Sequence, residues 1–131
     1  MGKLSLIVGI FLCFASSEPV EKATLILYRG REFLGNAHEI RVNDKLVANL
    51  AANAYIEVYV SPGKTSIESS IYRGSKRVFR LVTEPAQVYY IKAYEEVDFW
   101  DRYLVMGAVD VETAKKEMKK CRKTEKVRQP E

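Results

Sequence analysis

The sequence is poor in the residues that site chemistry most often needs. It has one histidine, His38, and two cysteines, Cys13 and Cys121, in 131 residues. A structural zinc site takes several Cys or His ligands, so that class is excluded. No Gly-x-Ser-x-Gly nucleophile elbow is present, and no Gly-rich phosphate loop, dinucleotide fingerprint or EF-hand pattern. No cofactor and no metal is expected. Long hydrophobic runs are also missing. The apolar run from Leu4 to Phe14 is too short to cross a bilayer, which takes about 20 apolar residues.

That run has the features of a secretory signal peptide instead. Lys3 supplies a positive n-region, and Ala15, Ser16 and Ser17 give small residues at a cleavage site before Glu18. Residues 1–17 are therefore expected to be a leader, 18–123 a single domain, and 124–131 a basic, disordered tail. The product is expected in the periplasm or cell envelope. Cys13 follows Phe11 and Leu12, both bulky, where a lipoprotein signal carries a small residue. It reads as one apolar residue of the leader, with acylation at Cys13 and a lipid-anchored product as the alternative. Once the leader is removed, Cys121 is the sole cysteine and no intrachain disulfide can form.

The net charge of +4 is local. From Glu112 to Glu131 there are eight basic and four acidic residues, whereas Glu18 to Val111 holds twelve basic and thirteen acidic. The basic C-terminal end can contact an anionic membrane; its plainer reading is a solvated, lysine-rich helix end. A neutral exported body makes nucleic acid an unexpected partner.

What is present is alternation. Ala23 to Arg29 is nearly continuous in apolar residues, as a central strand should be. Glu39 to Val42 alternates, Asn43-Asp44 stands where a two-residue hairpin turn belongs, and Lys45 to Leu50 returns. Tyr55 to Val60 places Tyr55, Glu57 and Tyr59 on one face and Ile56, Val58 and Val60 on the other, ending at the turn Ser61-Pro62-Gly63-Lys64. Thr65 to Tyr72, Arg77 to Val82, Gln87 to Tyr94 and Leu104 to Val111 complete the pattern. The expected fold is mainly β, an antiparallel β-sandwich of about seven or eight short strands. One short C-terminal helix, Thr113 to Lys123, follows, with Ala114, Met118 and Cys121 as its apolar stripe and acidic residues at its start.

The ordered set Ala23-Thr-Leu-Ile-Leu-Tyr-Arg29, Ile40-Arg-Val-Asn-Asp-Lys-Leu-Val47 and Tyr55-Ile-Glu-Val-Tyr-Val-Ser-Pro-Gly-Lys64, with Glu117-Met-Lys-Lys-Cys121 near the end, resembles the bacterial envelope family known as domain of unknown function 2846. The resemblance covers roughly residues 23 to 122 and implies an envelope β-sandwich with no catalytic residues to carry over. The sequence departs from the family at Asn43-Asp44, where a glycine is usual, and before Cys13.

For function, the richest stretch holds Glu95, Glu96, Asp98 and Asp101 with Phe99, Trp100 and Tyr103. Read as a loop at a sandwich end, it has two uses. The aromatics could fold down as a lid on the core, the favoured reading for so small a domain. Alternatively Phe99, Trp100 and Tyr103, with Asp98 and Asp101, form a binding surface for an envelope protein or a glycan. The function expected is thus a non-catalytic exported module that binds or scaffolds through a sheet edge or the 96–103 loop. The rivals are a small hydrolase using the acidic loop or a His38/Cys121 pair, and a lipid-associated structural protein. The interior is expected to be aliphatic, without a polar pocket.

Overall fold

The structure, a computed structural model, describes residues 21–32 and 35–126. The expected leader with Cys13, and the tail from residue 127 onward, lie outside the described residues. The strands are β1 (Ala23–Arg29), β2 (His38–Val42), β3 (Lys45–Leu50), β4 (Ala54–Val60), β5 (Gly63–Ser70), β6 (Arg77–Thr83), β7 (Val88–Asp98) and β8 (Asp101–Val109); a helix α1 (Val111–Glu117) and a short strand β9 (Arg122–Lys123) follow.

The strands form two sheets, in the order β8-β7-β1-β4-β9 and β3-β2-β5-β6. The expected β-sandwich is what the chain builds. Alternation sets which side chains enter it: Leu25 and Leu27 from β1, Ile56, Val58 and Val60 from β4, Ile40 and Val42 from β2, Ile67 from β5, Ile91 and Ala93 from β7. Each fully buried Leu or Ile here contributes about 1.5–3 kcal/mol. The inner face of β1 is buried throughout, and its outer face is partly covered, with Thr24 and Ile26 half-buried. Its outward Tyr28 is fully buried, with its hydroxyl donating 2.6 Å to Glu117 of α1.

Turn chemistry follows the sequence closely. Asn43 and Asp44 have φ of 49° and 70°, both left-handed, as a type I′ hairpin requires; no glycine is needed because Asn and Asp tolerate that region. Gly63 has φ of 125°, open to glycine alone after Pro62.

Several expectations need correction. The first sheet is mixed: β1 pairs with β7 in parallel, register Leu25↔Tyr89, and β4 with β9 in parallel. The cause is connectivity. After β4 the chain crosses to build β5 and β6 in the other sheet, then returns along the free edge of β1. The helix spans Val111–Glu117, not residues 113–123, and starts where Asp110 caps Thr113 N at 3.0 Å. It stops at Met118 because the chain turns back: Arg122 N donates to Asn53 O at 3.0 Å and Thr124 N to Tyr55 O at 2.7 Å. Residues 124–126 therefore run beside β4 rather than as a free tail.

Candidate functional site

One end of the sandwich gathers the last residues of β1, β3, β5 and β7 with the first of β2, β4, β6 and β8. Two features occupy it. The first is a buried polar plug. Arg29, His38 and Glu95 each continue an inward-facing series, after Leu25 and Leu27, before Ile40 and Val42, and after Ile91 and Ala93. The interior is thus not wholly aliphatic. Arg29 is fully buried. Its Nε donates to Glu32 Oε2 at 2.8 Å, and its Nη1 to the carbonyls of Asn36 at 2.5 Å and Leu50 at 2.8 Å. A Cβ at position 35 would lie 2.9 Å from Arg29 Nη2, so Gly35 lets the loop close over the guanidinium. Glu32 also accepts from Glu95 N at 2.7 Å.

His38 Nε2 lies 2.5 Å from Glu95 Oε2. The other carboxylate oxygen accepts from Asn36 Nδ2 at 3.2 Å and Asn36 N at 3.4 Å. An acceptor of so many bonds is ionised, so Nε2 is the donor and the proton sits there. His38 Nδ1 is buried without a described partner. A second proton there would be a buried, unpaired N–H. Burial accordingly pushes the His38 pKa down, against the pull of Glu95. Burial works to raise the Glu95 pKa, but its bonds to His38 and Asn36 outweigh that and hold it below the usual range.

This dyad resembles a base with its orienting acid, but the base atom is sealed. His38 has no exposed surface. Cys121 has other partners: its thiol donates to Arg29 O at 3.3 Å, and burial raises its pKa, which disfavours the nucleophilic thiolate.

The second feature is a bare aromatic tip. β7 and β8 pair without interruption from Tyr90↔Val109 to Asp98↔Asp101. The stretch read as an acidic loop is therefore strand, with only Phe99 and Trp100 as its turn. The ladder carries them past the end of the core, so they are not a lid: Phe99 is 92 % and Trp100 96 % exposed. Phe99 has φ of 51°, a left-handed angle that a two-residue turn normally assigns to Gly, Asn or Asp.

The other anticipated residues divide around this tip. Asp98 is exposed beside it. Asp101 accepts from Ser75 Oγ at 2.6 Å, and Ser75 N donates to Arg102 O at 3.0 Å. The β5–β6 loop thus braces the hairpin root, and Gly74 allows it, since a Cβ there would sit 2.5 Å from Arg102 O. Tyr103 is on β8, half-buried, with the Arg77 guanidinium 4.0 Å over its ring. Tyr72 on the bracing loop is 84 % exposed.

Fold and site together define a two-layer β-sandwich with a polar plug at one end and an aromatic hairpin projecting from it. No family model matches the chain, and no curated protein matches it. No helix among the described residues is long and apolar enough to cross a membrane.

Proposed function

We propose that this protein is a non-catalytic, exported binding module of the cell envelope that docks through its Phe99–Trp100 hairpin. One observation carries the reading: the largest apolar side chains at this end are the most exposed, and one of them holds a backbone angle a smaller residue would hold better. Strain and exposure together reduce stability, and neither contributes to the core. Aromatic side chains so displayed are typical anchors in recognition surfaces. Export rests on the leader-like residues 1–17, and the envelope on those and the resemblance of the strand motifs. The hydrolase alternative is weakened by the sealed His38 and the hydrogen-bonded Cys121.

Two substitutions separate function from folding. Phe99→Gly removes the left-handed cost and should raise stability by about 1 kcal/mol in urea denaturation. The same variant, and Trp100→Ala, should lose partners recovered from envelope extracts by the immobilised wild type. Equal recovery by all three proteins removes the tip from the proposal.

A further inference from the structure

At the opposite end, where the edge strand β3 faces the Val58–Val60 end of β4, a cavity of about 320 Å³ opens between the layers. That volume is at the lower end of the range for small-ligand sites. Its floor includes Val42, Val58 and Val60, inward-facing members of the core cluster. Its rim carries Lys22, Lys45 and Lys126. None of the three lysines is ion-paired with a described carboxylate. Lys126 lies 5.0 Å over the Tyr59 ring, and the nearby Glu57 accepts a hydrogen bond from the Tyr59 hydroxyl.

We infer that this groove takes the hydrocarbon chain of a single-chain anionic amphiphile, with the three lysines around its head group. The floor is continuous with the core, and the half-buried Leu46 and Val47 form its wall, so an aliphatic chain lying in it covers apolar surface that otherwise meets water. The rim holds cations with no described acidic partner, so a carboxylate or phosphate head is the complementary group. An extended peptide fits less well. It would be held through strand-edge amides, whereas this cavity presents inward side chains.

Titration calorimetry of the purified protein with dodecanoate, kept below its micelle concentration at low salt, tests the inference. Saturable binding at one site is expected. Acetate, which has the head alone, should not bind, and dodecanol, which has the chain alone, should bind at least about tenfold more weakly. A Lys22→Glu/Lys45→Glu/Lys126→Glu variant, checked for folding by circular dichroism, should weaken dodecanoate at least about tenfold and strengthen dodecyltrimethylammonium. Val47→Phe, which narrows the groove, should also weaken dodecanoate. Methyl shifts in NMR should centre on Val42, Val58 and Val60. Absence of binding, equal affinity for dodecanol, an unchanged charge-reversed variant, or shifts centred on Phe99 and Trp100 would each overturn it. So would preferential binding of an oligoglutamate peptide along the backbone of β4.

Discussion

At the scale of single residues, the plug makes the domain sensitive to acid. Folded His38 gives up its proton more readily than a free imidazole, whose ordinary pKa is 6.5. Folded Glu95 likewise stays ionised below its ordinary 4.5. In both cases the unfolded chain binds more protons as pH falls, so stability declines with acidity. The decline should begin below pH 6.5 through His38 and deepen below 4.5 through Glu95. His38→Gln, which retains a donor but does not titrate there, should flatten the first part and leave the second; urea denaturation across the pH range reads both. Glu95→Ala should cost about 3 kcal/mol at neutral pH, because it strands buried donors on His38 and Asn36. The positions of these side chains were legible. Counting by twos from Leu27, Ile40 and Ala93 brings Arg29, His38 and Glu95 to the inner face. Their meeting was not, because it depends on the parallel register of β1 and β7, which no local pattern encodes.

At the scale of elements, α1 is held by its ends more than by its packing. Only Ala114 of its residues is buried, and Glu117 joins Tyr28 at 2.6 Å and Lys92 at 2.8 Å. Asp110→Ala removes the N-cap and should cost about 1 kcal/mol, with faster amide hydrogen exchange confined to the helix. The apolar stripe of Ala114, Met118 and Cys121 suggested a longer helix, and residue pattern gave no reason for it to stop. The stop comes from the backbone bonds that Arg122 and Thr124 make to the Asn53–Tyr55 stretch. The strands from Ala23 to Val82 were legible to within two residues, since Asn43-Asp44 and Pro62-Gly63 mark where they reverse; β5 starts two residues earlier than expected, at Gly63 itself. The β7–β8 hairpin was not. Phe99-Trp100 has no turn chemistry, and the acids flanking it resemble a solvated loop. The thiol that follows α1 should be slow to alkylate: Cys121 is half-buried and bonded to Arg29 O. Iodoacetamide should modify it more slowly than a free cysteine, and denaturant should remove the difference.

At the scale of the whole molecule, the two ends of the sandwich are built on opposite principles. One is closed by a buried polar plug and extends an aromatic hairpin; the other ends in a shallow groove over buried valines, rimmed by lysines. Protection from hydrogen exchange should therefore be greatest in β1, which is paired on both sides and buried along its inner face, and least in β8 and β9 at the sheet edges. A pulse-labelling experiment that found β1 amides exchanging as fast as those of β8 would contradict this architecture.

The placement of β1 also bears on how the polypeptide is born. A nascent chain emerges from its N-terminus, so β4 is available to β1 early, but β7 is not synthesised until both β5 and β6 have appeared. Throughout that interval this largely apolar strand has one bare flank, a ready template for mispairing with another chain. A holding chaperone would shield that flank until Val88–Asp98 arrives to seal it.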